Sequence, residues 1–252
     1  MIPTGMALTD MIWLIRRYTN KMNTQKLIQE QLKLSEKVMT TDMFDEINYI
    51  AGCDQSYTKD NKVFSVIVVL DAKTLEIVDK ASEEVECRMP YMPGLLFYRE
   101  APAIIEAFSK LKTRPDLLIV DANGILHPRR IGMASQLGIV LDIPTIGITK
   151  NLFIGKPSSD GKIEIDKEIR GEELKTREYS NPVYLSPGHR ISLRTASDLV
   201  KKMIIAPHKL PKPLHLAHRF ARKAVRSENE KDNAADNKEQ KENADDCLNE
   251  SQ

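Results

Sequence analysis

The hydrophobic pattern of the chain changes its period near residue 90, and this change restricts the folds that the chain can adopt. Before that point, three segments have the composition and alternation of β-strands, at residues 48–57, 62–70 and 76–86. The connections between them are short and polar, which favours an antiparallel meander.

Beyond residue 90 the spacing becomes helical. Residues 93–111 and 130–141 each show a helical pattern, and each leads to an apolar strand, the first ending at Asp121 and the second at residues 143–149. A strand, a helix and a strand in succession pair in parallel through a right-handed crossover. We therefore predict an α/β fold with a mixed sheet, in which three antiparallel strands are followed by parallel strands and are flanked by helices.

Three further helices complete the predicted domain. Residues 24–39 form an amphipathic pattern with Thr24 as the N-cap, and two late helices are predicted at residues 192–205 and 213–226. With 252 residues, of which 41% are hydrophobic, the chain can bury one substantial core. We expect one domain at residues 24–226, a weakly tethered extension at residues 1–23 and a disordered acidic tail at residues 227–252.

Cysteine content and hydropathy favour a cytoplasmic protein. The three cysteines are too few and too scattered for a disulfide framework, and no Cys/His spacing indicates a zinc site. An apolar patch at residues 11–15 is too short to span a membrane or to act as an ordinary secretory signal. We expect a reduced intracellular environment, no membrane association and a monomer.

The net charge of +1 hides an uneven distribution of charge. Residues 228–252 contain nine acidic residues and three lysines, a net charge of −6, so the rest of the chain carries +7. Residues 201–226 contain eight Lys or Arg, three His and no acid. This segment is either a solvated helical face or, as we favour, a surface that binds the phosphates of a nucleic acid.

The first candidate for an active site is the segment DLLIVDANGILHPRR at residues 116–130, where a buried strand ends on Asp121 and a glycine-containing loop leads to His127. Asp54 interrupts the first predicted strand, and Glu100 lies on the predicted helix between the two. Each carboxylate alone could be an ordinary ion-pair partner. Together, at one edge of the sheet, they would hold one or two Mg²⁺ ions, which activate water and stabilise a leaving oxygen.

At this point the sequence resembles the endonuclease V family. The resemblance is carried by GCDQSY (52–57), RMPYMPGLLFYRE (88–100), VDANGILHPRRIGMASQLG (120–138), PTIGITK (144–150) and SPGHRISLRTA (186–196). It implies a ribonuclease H-like fold. It also implies cleavage of a strand at the second phosphodiester bond on the 3′ side of hypoxanthine, a deaminated adenine, with Mg²⁺ or Mn²⁺.

The family's functional residues correspond to positions in this chain. The resemblance implies that the metal carboxylates are Asp54, Glu100 and Asp121, and that His127 and Lys150 complete the catalytic set. It further implies that residues 90–93 form a wedge, in which Tyr91 fills the gap left by an extruded base. The wedge residues are Pro90, Tyr91, Met92 and Pro93, and the implied base pocket is built from Gly94, Leu95, Leu96, Gly132 and Met133. The chain departs from the family's usual pattern at Ala122, where glycine is usual, and at Leu126, where a small residue is usual.

The resemblance leads to a functional expectation with two alternatives. We expect a DNA repair endonuclease of the deoxyribonuclease V type that acts on DNA containing deoxyinosine and leaves 5′-phosphate ends. The same fold and metal site could instead cleave inosine-containing RNA, because the contact to a 2′-OH that decides is not visible in the sequence. A non-catalytic nucleic-acid-binding protein would be favoured by the loss of a carboxylate, but all three are present. His189 and His218 could contact phosphate or serve only in packing.

Overall fold

The computed structural model describes residues 23–227 of the chain. The predicted N-terminal extension up to residue 22, and the acidic tail from residue 228, lie outside the described residues.

The described residues form an eight-stranded mixed sheet with the strand order β3-β2-β1-β4-β5-β8-β7-β6. The strands are β1 (Tyr49–Tyr57), β2 (Lys62–Asp71), β3 (Ile77–Glu86), β4 (Leu117–Val120), β5 (Thr145–Thr149), β6 (Lys162–Ile165), β7 (Glu168–Leu174) and β8 (Val183–His189). Strands β1 to β3 form the predicted antiparallel meander, and β4 and β5 continue the sheet in parallel with β1. The predicted mixed sheet is confirmed.

The last three strands are additional to the prediction. Strand β8 pairs antiparallel with β5, and β7 and β6 extend the sheet as an antiparallel pair. The short strand β6 and the charged strand β7 have the sequences KIEI and EIRGEEL, which lack the apolar runs that marked the other strands. The sheet is therefore wider than the hydrophobic pattern indicated.

Four helices have defined bounds, and a fifth runs through residues 212–227. They are α1 (Thr24–Ser35), α2 (Leu96–Ser109), α3 (Met133–Leu141), α4 (Leu193–Met203) and α5 (212–227). The prediction of Thr24 as the cap of α1 is wrong, because Asn23 lies at that position and its side chain accepts a hydrogen bond from the Lys26 N–H. Helix α2 begins at Leu96 and not at residue 93, since Gly94 has a φ of +78°, outside the helical region.

The helices cover both faces of the sheet, giving three layers. Because successive residues of a strand point to opposite faces, Ala51 and Cys53 of β1 pack with α1, α2 and α3, while Ile50 packs with α4 and α5. A second apolar group on the α5 side joins the alternate residues Val66 and Val68 of β2 to α5. The site described below lies where α5 crosses the ends of β1 and β4.

Candidate active site

Two aspartates lie side by side near the ends of neighbouring strands. In the parallel register of β1 and β4, Cys53 pairs with Val120, and the Asp121 N–H donates to the Cys53 carbonyl at 3.2 Å. Asp54 and Asp121 are each one residue further along their strands. Asp54 is only 6% exposed and the Asp121 side chain is 17% exposed, so Asp54 is the less hydrated of the two carboxylates.

Helix α5 brings a histidine to this pair. A Cβ atom on Gly52 would lie 2.2 Å from the Pro213 carbonyl carbon, so the absence of a side chain lets the start of α5 lie directly on β1. Gly52 and Asp54 point to the same face, and His218 in α5 donates from Nδ1 to Asp54 Oδ2 at 2.5 Å. The sequence left the role of His218 open, because this contact joins residues 164 positions apart.

Asp54, Asp121 and His218 can hold a metal ion. One potential ligand atom from each residue lies within 4.8 Å of the other two. Burial raises the pKa of Asp54 above its ordinary value, and the negative charge of Asp121 raises this pKa further, while the bond from His218 opposes both effects. Two carboxylates forced together in this way favour a bound cation, and two carboxylate oxygens with one imidazole nitrogen are suitable ligands for a divalent metal.

Lys150 lies beside the same pair. It follows β5, the strand next to β4, and its Nζ lies 3.1 Å from Asp121 Oδ2. The Lys150 side chain is 43% exposed, so its ammonium group faces solvent as well as the carboxylate. The structure therefore joins the predicted Lys150 to the predicted Asp121.

Glu100, the third predicted metal carboxylate, has a different partner. Its Oε1 accepts a hydrogen bond from the Tyr57 hydroxyl, which in turn accepts one from Arg99 Nε at 3.0 Å. Burial raises the pKa of Glu100 to about 7, and the charges of Asp54 and Asp121 raise it as well. Glu100 is thus close enough to both aspartates for their charges to act on it, although it is not part of the grouping of Asp54, Asp121 and His218.

His127 is buried, and both of its ring nitrogens have partners within the protein. Nδ1 accepts from the backbone N–H of Arg129 at 3.2 Å, so the proton lies on Nε2, which donates to the Gly94 carbonyl at 3.2 Å. Burial lowers the pKa of His127 to about 4, and the ring is therefore neutral at physiological pH. In this arrangement neither nitrogen is available to a water molecule or a phosphate.

A cavity of about 200 Å³ lies next to the aspartates. The chain passes from Asp121 directly into Ala122 and Asn123, which line the cavity, and Asn151 follows Lys150 into the same wall. Five of the residues predicted to bind the substrate also line it: Tyr91, Gly94, Leu96, Gly132 and Met133. Tyr91 is 68% exposed and lines this cavity.

The other four predicted substrate-binding residues do not line the cavity. Met92 and Leu95 pack against the core cluster on the face of α1 to α3. Pro90 and Pro93 flank Tyr91 and Met92 in the chain, and a proline restricts its own φ and the conformation of the residue before it. These four residues shape the loop from which Tyr91 projects.

The cavity wall contains further residues that the sequence analysis did not select, including Gln136 and Phe153. Gln136 is 1% exposed, and its Oε1 has no hydrogen-bond partner among the described residues. A buried amide oxygen without a partner is costly, which makes Gln136 a candidate contact for a bound ligand. No sequence signal distinguished it, since a glutamine on a helix is usually exposed.

His189 and the basic segment at residues 201–226 were also singled out from the sequence. His189 is 4% exposed and its Nδ1 accepts from the Met39 N–H at 3.3 Å, so it packs within the fold. The basic segment at residues 201–226 is not buried as a whole, and its exposed cations are Lys201, Lys202, Arg219, Arg222, Lys223 and Arg226. No helix within residues 23–227 is both long enough and apolar enough to cross a membrane.

Comparisons with known proteins show which family the chain is similar to. The family model for endonuclease V matches residues 32–219. The endonuclease V of Dictyoglomus thermophilum is 39% identical over 219 residues, which cover 84% of this chain and 95% of that protein. The crystal structure of the Bacillus subtilis endonuclease V matches with a TM-score of 0.78 and 31% identity, covering 85% of this chain and 96% of that one.

A solved complex also matches the fold. The Ciona intestinalis endonuclease V, crystallised with a 23mer DNA containing an inosine followed by a ribo-adenosine, has a TM-score of 0.72 and 25% identity, covering 81% of this chain and 97% of that one. Because the family model spans most of the chain and the similarity to the Dictyoglomus protein extends over nearly its full length, the chain belongs to the endonuclease V family of nucleases, which cleave phosphodiester bonds in DNA.

Proposed function

We propose that this protein is a metal-dependent DNA repair endonuclease that recognises hypoxanthine, the deaminated form of adenine, and hydrolyses the second phosphodiester bond on its 3′ side. The observation that carries the proposal is the position of the grouping of Asp54, Asp121 and His218 beside the cavity. Asp121 is followed directly by Ala122, which lines the cavity that Tyr91 borders. A base held in the cavity would keep its own strand close to the carboxylates.

Residues outside the metal grouping can bind the nucleic-acid strand and extrude the damaged base before the bond is cleaved. The exposed cations of residues 201–226 attract phosphates without regard to sequence. A base whose pairing is weak costs less free energy to extrude from a duplex, and Tyr91, 68% exposed, can occupy the gap that the base leaves. A narrow pocket can exclude guanine by the size of its 2-amino group, which hypoxanthine lacks. Adenine carries a 6-amino donor where hypoxanthine has a carbonyl acceptor, so a hydrogen-bond donor in the pocket can reject it.

Asp54, Asp121 and His218 would hold a divalent cation, for which we propose Mg²⁺, with Mn²⁺ as a substitute that accepts the same ligands. A bound cation supplies Lewis-acid stabilisation of the phosphate and of the leaving oxygen. Lys150, 3.1 Å from Asp121, places a positive charge where negative charge develops on the phosphate. Glu100, held by Tyr57 and with a raised pKa, is suited to accept or to orient a proton of the attacking water.

The reaction is a hydrolysis. The water oxygen forms a bond to phosphorus, the bond from phosphorus to the 3′ oxygen breaks, and that oxygen takes up a proton. The products are a 3′-hydroxyl and a 5′-phosphate, and no base is removed. One chain supplies every residue of the metal grouping and of the cavity, so we propose that a monomer is the active unit.

The test is cleavage of matched strands with sized products. We expect purified protein with Mg²⁺ to cut deoxyinosine DNA at the second bond on the 3′ side and to leave undamaged DNA intact. Removal of the metal with EDTA should stop the reaction, and added Mg²⁺ should restore it. Equal cleavage of damaged and undamaged strands, or cleavage that persists in EDTA, would overturn the proposal.

Inosine-containing RNA is the second candidate substrate. The Ciona complex contains a ribonucleotide directly after its inosine, and the same position of a ligand strand would present a 2′-OH to this site. Parallel assays on inosine RNA and deoxyinosine DNA of the same sequence measure the preference. A higher kcat/KM for the RNA would assign the protein to RNA rather than to DNA repair.

A further inference from the structure

The carbonyl group of Gly94 accepts three hydrogen bonds from side chains that are distant in the sequence. Gln31 Nε2 lies 3.0 Å from this oxygen, Arg129 Nη2 lies 2.7 Å from it, and His127 Nε2 lies 3.2 Å from it. A backbone carbonyl usually has one or two partners. Three donors on one oxygen fix the position of this peptide unit more strongly than a loop ordinarily requires.

The three donors are also joined to one another. Gln31 Oε1 accepts from Arg129 Nε at 2.6 Å, and the Arg129 backbone N–H donates to His127 Nδ1 at 3.2 Å. Gln31 is fully buried and His127 is 3% exposed. We call Gln31, His127 and Arg129 the Gly94 clamp. Moving any one of them breaks more than one bond, so the clamp acts as a unit.

The clamp sits at the joint between the wedge and the catalytic helix. Gly94 directly follows the wedge at residues 90–93, and α2, which carries Glu100, begins two residues later at Leu96. Gly94 has a φ of +78°, a conformation that glycine alone adopts without cost, and an added Cβ would lie 2.6 Å from Arg129 Nη2. Gly94 itself lines the cavity. The clamp therefore determines the direction of the wedge and the rim of the cavity together.

Arg129 serves this purpose at a cost to stability. Burial lowers its pKa, and within residues 23–227 it forms no ion pair with a carboxylate. Its neighbour Arg130 instead pairs with Glu168 at 2.7 Å, the arrangement expected of a cation that only stabilises the fold. A partly desolvated guanidinium bound to an amide and a neutral carbonyl is an expensive way to hold a surface loop, and such costs concentrate at functional sites.

We infer that Gln31, His127 and Arg129 are positioning residues for base recognition: through the Gly94 carbonyl they hold Tyr91 and the cavity rim in the geometry that selects the damaged base. This inference rests on the proposed function. It gives α1, which contributes no residue to the metal grouping, control over substrate selectivity. It also makes His127 a positioning residue rather than a group that touches the phosphate.

The experiment compares Gln31→Met with Gln29→Met. Gln29 is exposed on the same helix, so the control makes the same chemical change without touching the clamp. We expect Gln31→Met to lower the ratio of kcat/KM for deoxyinosine strands over undamaged strands by about tenfold, about what the loss of the two Gln31 hydrogen bonds predicts. General strand affinity should change less than this ratio. Gln29→Met should match the wild type in both.

Two further measurements separate positioning from loss of structure. Histidine ¹⁵N spectra should show one His127 tautomer, protonated at Nε2, in the wild type and Gln29→Met, and a mixture in Gln31→Met. Arg129→Lys keeps the charge but loses the bidentate geometry, so it should lower selectivity as well. Because the bonds form one unit, the double variant should lose less than the product of the two single losses.

The outcomes distinguish this inference from the proposed function. If the wild type itself does not prefer deoxyinosine, the proposed function fails first. If the wild type is selective and folded Gln31→Met and Arg129→Lys retain that selectivity, the Gly94 clamp has no role in recognition and the inference is overturned.

Discussion

Asp54 and Asp121 show how a single residue gains a role from its register. Both were candidates from the sequence, but only the pairing of Cys53 with Val120 brings the two carboxylates together. We expect Asp121→Asn to abolish nicking, because an amide cannot supply the negative charge that a divalent cation requires. Binding of an inosine strand in Ca²⁺ should persist. Cleavage is measured on sized products.

Asp160 provides the matched control for this change. It is exposed in the turn before β6, at the opposite edge of the sheet from the meander, and Asp160→Asn should cleave as the wild type does. Cleavage by Asp121→Asn at the wild-type rate would exclude Asp121 from the metal site.

Gln136 should show opposite effects on stability and on function. Its Oε1 is buried without a partner, and leaving such a group unsatisfied costs about 1–3 kcal/mol. Gln136→Leu, which is similar in volume, should raise the free energy of unfolding in urea while it lowers the affinity for an inosine strand by about five- to tenfold. A variant that binds inosine as well as the wild type would show that the amide does not contact the base.

At the scale of elements, the contact between β1 and α5 builds the metal grouping. We expect Gly52→Ala to displace α5, because the added Cβ would lie 2.2 Å from the Pro213 backbone, and a displaced α5 carries His218 away from Asp54. The overpacking should cost about 1–3 kcal/mol of stability. Nicking at saturating substrate should fall by more than the fraction of unfolded protein explains.

Gly161→Ala is a control with a comparable loss of stability. Gly161 has a φ of +81° in the turn before β6, so an alanine there is strained, but the turn lies five strands from β1. Equal loss of kcat in the two variants would mean that destabilisation, rather than the position of α5, explains the effect of Gly52→Ala.

Strand β8 introduces a pH dependence through His189. Burial lowers the pKa of this histidine from 6.5 to about 4, so between these values the unfolded chain binds a proton that the folded protein does not. As the pH falls through this window, His189 therefore reduces the free energy of unfolding, by at most about 1.4 kcal/mol per pH unit.

His189→Gln removes this contribution. At pH 7 the wild type should be the more stable of the two, since the variant removes the His189 Nδ1 that accepts the hydrogen bond from the Met39 N–H. The difference should narrow as the pH is lowered to about 5. Urea unfolding at several pH values measures it, and a difference that does not depend on pH would contradict the assignment of a neutral, buried His189.

At the scale of the whole molecule, the charge is distributed unevenly along the chain. Residues 228–252 carry −6 and the rest of the chain +7. Their opposite charges would attract residues 228–252 to the cations of residues 201–226, where they would compete with phosphates. We expect deletion of residues 228–252 to tighten binding to undamaged strands and to steepen its dependence on salt, because more cations then release counterions. Superimposable binding curves across a salt series would rule out this competition.

Most of the layered fold was predictable because it depends on local periodicity. Alternating and helical patterns located β1 to β5 and the five helices to within a few residues. The antiparallel pair β6 and β7 was missed because β6 is only four residues long and β7 has charged residues at four of its seven positions, so neither gives a long apolar or alternating run. Their place is set by pairing to β8, which is a property of the assembled sheet.

The sequence by itself determined which chemical groups are present: the carboxylates near the ends of β1 and β4, the proline-flanked Tyr91 and the basic segment. Only the tertiary structure decided their partners. The bond between His218 and Asp54 joins residues 164 positions apart, and the bond between Gln31 and Arg129 joins residues 98 positions apart. Neither contact leaves a periodic trace in the sequence, because each exists only when packing brings a helix onto the end of the sheet or onto the loop beside it.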